Sequence, residues 1–155
     1  FLEYYEAHLA DASVPFPGAA AALDTLTGQG ARLVVVTNKY ERYAIRLLEL
    51  VGLARHFSVV AGPDTFGSRK PDPAHLLNSV SRAGGDAAHA VMIGDSFTDV
   101  ATARAARIPV IAVSFGYTDI APRDLGADAV VDSLGDVPGA IARICDRTAP
   151  RLAAG

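Results

Sequence analysis

The sequence predicts an α/β fold, a Rossmann-like parallel sheet sandwiched by helices. Three observations carry that expectation. Short apolar runs (RLVVVT at 32–37, AVMIG at 90–94, PVIAV at 109–113) alternate with stretches of helical apolar spacing. The connections are short, which favours parallel strands with right-handed crossovers. Polar clusters fall just beyond the apolar runs, at the C-terminal strand ends where ligands gather in such sheets. With 155 residues the chain is long enough for one domain with a sizeable core.

Taken in order, residues 1–11 place Leu2, Tyr5 and Leu9 on one helical face, and Pro15 and Pro17 break that segment. Residues 18–29 read as an Ala-rich helix and 32–37 as a buried strand. Tyr40, Tyr43, Leu47, Leu48 and Val51 lie at helical spacing, and Gly52 suits the helix end. Residues 58–61 form the next strand. Asp72 and Pro73 open a further helix, since Asp caps free amides and Pro fits the first helical position. Leu76, Leu77 and Val80 are its expected core contacts. Strand 90–94 leads into an Ala-rich helix at 97–107, strands at 109–113 and 129–131 follow, and a last helix spans 138–144. The tail 147–155 is expected to be loose.

Composition narrows the function classes. Half the residues are hydrophobic, a fifth are charged and the net charge is −3, so no basic field points to nucleic acid. No apolar run approaches the roughly 20 residues of a membrane span. The lone cysteine, Cys145, is expected to pack on the last helix, and its isolation fits a reducing, cytoplasmic compartment. His8, His56, His75 and His89 show no ligand spacing and read as surface or structural residues. Tyr4 and Tyr5 read as packing residues. Arg69 suits either substrate contact or solvation, and Gly126 argues that Asp124 and Asp128 share a loop rather than a helix.

Three polar clusters remain. Thr37-Asn38 ends a strand, where a hydroxyl and successive backbone amides can hold phosphate oxygens, or simply cap the next helix. Lys70-Pro71-Asp72-Pro73 holds a lysine on stiffened backbone, suited to balancing anionic charge. In Gly94-Asp95-Ser96-Phe97-Thr98-Asp99, two carboxylates four positions apart can face one place, where oxygen ligands favour a hard cation. The alternative for that cluster is helix capping by Asp95 with a solvated Asp99.

VVVTN, KPDP and GDSFTD, in this order and each after a successive strand, resemble motifs II, III and IV of the haloacid-dehalogenase superfamily. Asn38-Lys39, RKPDP, GDS and Phe115-Gly116-Tyr117 are most similar to its phosphoglycolate phosphatase-like members. The resemblance implies a Mg2+-dependent phosphatase that acts on small phosphorylated metabolites through an aspartyl-phosphate. Thr37 and Asn38 would bind the phosphoryl group, Lys70 would neutralise charge, Asp95 would ligate Mg2+ and Asp99 would assist it. Thr37, Lys70 and Asp99 would be catalytic, and Asp95 and Asp99 metal-binding.

The superfamily's first motif, Asp-x-Asp, occurs nowhere in the sequence. The resemblance therefore implies a partial core at 15–146, preceded at 1–14 by the end of a helical cap. It lacks the first central strand between 32–37 and 90–94, the nucleophile and most of the cap. Such a piece is expected to be inactive alone and to expose two strand edges, inviting homo-oligomerisation or strand exchange. A phosphoglucomutase-like or other hydrolase of the superfamily, and a non-catalytic binding fragment, are the competing readings.

Overall fold

The computed structural model describes residues 14–148. The expected helical face of Leu2, Tyr5 and Leu9, the end of the cap at 1–14 up to residue 13, Tyr4 and His8 lie outside them. So does the tail beyond Thr148.

The elements follow the expected alternation. Helix α1 (Ala19–Gly28) leads to β1 (Leu33–Val36), α2 (Glu41–Leu50) and β2 (Phe57–Ala61). A single helical turn, α3 (Pro63–Phe66), precedes α4 (Pro73–Arg82), β3 (Met92–Gly94) and α5 (Phe97–Ala105). Strands β4 (Val110–Val113) and β5 (Ala129–Val131) and helix α6 (Val137–Thr148) complete the order. The last helix runs past its expected end at 144. Asp72 caps α4 as expected, its carboxylate accepting the Ala74 N–H at 2.9 Å.

All strand pairs are parallel, but they form two sheets, β1-β2 and β3-β4-β5. Strands β1 and β3, the two expected to flank a central strand, each end a sheet, with no ladder between them among the described residues. Burial records the consequence. Strand β4, paired on both sides, is buried throughout, whereas β1, read from its apolar run as a buried strand, is only half-buried along its length. Apolar side chains cannot be fully covered where one strand edge lacks a neighbour.

Helices hold the two sheets together. Helix α4 packs on β1 and β2 and against α5, which covers β3 and β4. That face is filled by Leu76, Met92, Val100, Ala103, Ile108 and Val110, with Val36 of β1 against them. On the other face, α1 packs against α6, and Leu26, Ile111, Val131, Val137 and Ile144 form a second cluster that Leu33 of β1 joins.

Two core expectations change. The buried face of α4 is His75, Leu76 and Ser79, while Leu77 is 37 % exposed. The helix is rotated so that a polar residue takes the innermost place. Cys145 is exposed, because Ile144 takes the buried position of that turn. Asp128 lies in the loop before β5, where it accepts the Val110 N–H at 2.8 Å and pairs with Arg104 at 3.0 Å. No helix among the described residues is long and apolar enough to cross a membrane.

Ile111 is fully buried in the strand that is paired on both edges, whereas Val130 on the neighbouring strand is 42 % exposed. Ile111→Ala is expected to cost about 2–5 kcal/mol and Val130→Ala well under half of that. Urea unfolding of both variants checks the contrast, and equal losses would contradict this placement of the core.

Candidate active site

The three polar clusters lie at the C-terminal ends of β1 and β3 and at the start of α4, and hydrogen bonds connect them. Asn38, just past β1, clamps the main chain of Lys70 twice. Its amide Nδ2 donates to the Lys70 carbonyl at 3.0 Å, and its Oδ1 accepts the Lys70 N–H at 2.9 Å. Lys70 in turn extends Nζ to Asp99 Oδ1 at 2.6 Å. The side chains of this pair are only 15 % and 7 % exposed. Asp99 Oδ2 then accepts the Asp95 N–H at 3.0 Å, the Ser96 N–H at 3.2 Å and the Ser96 hydroxyl at 2.9 Å. One continuous path thus runs from Thr37-Asn38 through Lys70 and Asp99 to Asp95.

The start of α5 differs from the simple capping alternative. Its cap is Ser96, not Asp95, in a reciprocal box with Asp99: the Asp99 N–H donates to Ser96 Oγ at 3.2 Å. The Ser-x-x-Asp spacing is the sequence signal for that box. Asp99 is buried rather than solvated. Its burial pushes the carboxyl pKa up, but the Lys70 charge and hydrogen bond, with those from Ser96 and the Asp95 amide, outweigh it. The group is held below the ordinary aspartate value.

The two carboxylates therefore have different capacities. Both oxygens of Asp99 are engaged. Asp95 has one oxygen, Oδ2, on the Tyr117 N–H at 2.9 Å, and Oδ1 carries no bond from the described residues. Two glycines make this possible. A Cβ on Gly116 would stand 2.6 Å from Asp95 Oδ2, and one on Gly94 would stand 2.6 Å from Asp99 Oδ2. Either methyl group would push the acid out of place. The Phe115-Gly116-Tyr117 segment is thus a support for Asp95, a role that residue types alone did not reveal. Phe115 also packs edge-on against Phe16, with ring centroids 4.8 Å apart.

Thr37 is half-buried, and its hydroxyl oxygen accepts the Lys39 N–H at 3.1 Å, which leaves the hydroxyl proton as a donor. Arg69 is exposed, and its carbonyl accepts the Asp72 N–H at 2.9 Å. Two shallow depressions, of about 330 and 350 Å3, lie elsewhere, one beside Asp132 and Arg143 and one between α2 and β2. Neither is lined by Thr37, Lys70 or Asp95.

Among the described residues, no group of three or more His, Cys, Asp or Glu is placed to hold a metal ion. That suits magnesium no worse, because Mg2+ is commonly held by one or two carboxylates with substrate phosphate and water completing its shell. An open Asp95 oxygen at a strand tip fits that donor pattern.

Comparison with known proteins identifies the family. Residues 1–113 match the family model of haloacid dehalogenase-like hydrolases. A phosphoglycolate phosphatase of Mesorhizobium japonicum is 48 % identical over 131 residues, covering 84 % of this chain and 58 % of that protein. One from Rhodospirillum rubrum is 50 % identical over 140 residues, covering 88 % and 58 %. The crystal structure of a predicted phosphoglycolate phosphatase from Haemophilus somnus superposes with a TM-score of 0.83 at 27 % identity, covering 89 % of this chain and 62 % of that one. The chain spans under two thirds of the length of these relatives.

Lys70→Met leaves the Asp99 carboxylate buried without its cation, and is expected to cost roughly 3 kcal/mol near neutral pH. The depressed Asp99 pKa contributes stability that is complete above the ordinary aspartate value and lost as pH falls through the lowered one. The gap between wild type and variant should therefore shrink on acidification. Denaturant midpoints at neutral pH and at about pH 3 read it, and a gap unchanged between them would count against the pair.

Proposed function

The chain belongs to the haloacid dehalogenase-like hydrolases, and from that premise we propose that the whole protein is a Mg2+-dependent phosphatase of small phosphomonoesters, with phosphoglycolate as first candidate. The hydrogen-bonded path Asn38–Lys70–Asp99–Asp95 carries this reading, because it gathers a cation, a polar strand tip and an open carboxylate at one place. The names of the relatives support the substrate class.

In this reading the Thr37 hydroxyl donates to one phosphoryl oxygen and the Asn38 N–H to another. Lys70 stands over the same group and offsets its negative charge, held in place by Asp99 below and the Asn38 amide behind. Asp95 holds the metal through its open oxygen. Bound Mg2+ shields the phosphate so that an anionic nucleophile can approach it. The family's aspartate nucleophile would come from a first motif, since this sequence contains no Asp-x-Asp. Catalysis then rests on positioning and charge neutralisation, the terms that dominate phosphoryl transfer. A cytoplasmic location is part of the same proposal, and where no central strand fills the gap, the β1 and β3 edges that are unpaired among the described residues are open to pairing with another chain.

The test is phosphate release by the full-length protein from phosphoglycolate, compared with glucose 1-phosphate and glucose 6-phosphate, with Mg2+ and with EDTA. Release from phosphoglycolate that needs Mg2+ is expected. Interconversion of the glucose phosphates without net release would favour a mutase instead. Thr37→Val should lower kcat/KM by about 100-fold, the usual cost of one lost transition-state donor. Wild-type rates in that variant would remove Thr37 from the site.

A further inference from the structure

His75 lies directly behind the candidate phosphate cradle and is wholly buried. Its Nε2 is 3.0 Å from the Thr37 carbonyl oxygen. The reason for this contact can be traced along the strands. The Thr37 N–H donates to the Ala61 carbonyl at 3.0 Å, making the last rung of the β1-β2 ladder. In a parallel ladder the Thr37 carbonyl would next accept the N–H of residue 63. Residue 63 is proline, which has none. The ladder stops there, and a half-buried carbonyl is left needing a donor. Helix α4 supplies it from the next segment of chain.

The contact also determines the state of the ring. A carbonyl only accepts, so Nε2 carries the proton and the ring is the Nε2–H tautomer if neutral. Nδ1 is buried with no partner among the described residues. In that tautomer the unpartnered atom is an acceptor, and no buried N–H is left unpaired.

The Thr37 carbonyl and the Asn38 N–H belong to one trans peptide group, so they point in opposite directions. Whatever fixes the carbonyl therefore aims the amide. The Asn38 N–H makes no bond with the described residues, while the Asn38 side chain is tied to Lys70. We propose that His75 is a positioning residue: by donating to the Thr37 carbonyl it aims the Asn38 N–H outward and strengthens it as a donor to a phosphoryl oxygen. Hydrogen bonds in series polarise one another, so the bond on one side of the peptide reinforces the donor on the other. This role rests on the phosphatase reading for its ligand, but not for its geometry.

The experiment uses NMR on the 15N-labelled full-length protein, with inorganic phosphate in the presence of Mg2+ as the probe. His75→Gln keeps an N–H near the position of Nε2, and His75→Leu keeps bulk without a donor. In the ligand-free spectra, His75→Leu should shift and broaden the Asn38 amide, and His75→Gln should largely restore it. In the titration, His75→Leu should weaken phosphate binding by about tenfold, the equivalent of one hydrogen bond, with most of the affinity recovered in His75→Gln. An Asn38 amide untouched by His75→Leu, or equal losses of affinity in both variants, overturns the proposal. If wild type binds no phosphate, the phosphatase reading of this site falls, and the ligand-free Asn38 resonance alone decides the role of His75. If His75→Leu does not fold, the imidazole spectrum of wild type decides, and a proton found on Nδ1 with a bare Nε2 refutes the contact.

Discussion

The Lys70–Asp99 pair is the interaction on which the rest of the site depends. It joins two halves that share no strand ladder among the described residues. On one side stands β1 with the Asn38 clamp on Lys70. On the other stands the β3–α5 turn, whose cap Ser96 and first carboxylate Asp95 are both bonded to Asp99. Helices α4 and α5 bring the halves into contact through apolar packing, which fixes distance but has little directional preference. The ion pair adds direction. It aligns the two strand tips that must cooperate if one ligand is to touch both.

This arrangement divides labour between two acids that the sequence presents as a pair. Asp99 is an internal structural anion, with each oxygen engaged. Asp95 is held at one oxygen by a main-chain amide and leaves the other open. Two carboxylates facing one cation repel each other in its absence. Here Lys70 already compensates one of them, so that repulsion is relieved within the chain itself. Preorganisation of this kind lowers the cost of assembling the charged complex.

Much of the architecture is legible in the sequence because the determining patterns are local. Apolar runs locate the strands, Asp72-Pro73 marks the start of α4, and the order of Thr37, Lys70 and Asp95 after successive strands points to one cluster. What stays hidden depends on residues distant along the chain. The phase of α4, with His75 inward and Leu77 outward, goes with a contact between His75 and the Thr37 carbonyl across 38 positions. The use of the Asn38 side chain on Lys70 rather than on solvent depends on a contact across 32 positions. The half-burial of β1 reflects which neighbours a strand has, not which residues compose it. Ser96 is the exception, for its capping box was readable from spacing alone.

The Tyr117 N–H that steadies Asp95 is a main-chain group, and a main-chain donor is indifferent to the side chain attached to it. The Tyr117 ring is 87 % exposed. Position 117 can therefore change its side chain freely at the lip of the site without disturbing the acid beneath. Gly116, by contrast, has no such latitude. Two neighbouring positions thus stand under opposite constraints: one serves Asp95 whatever side chain it carries, the other only while it carries none.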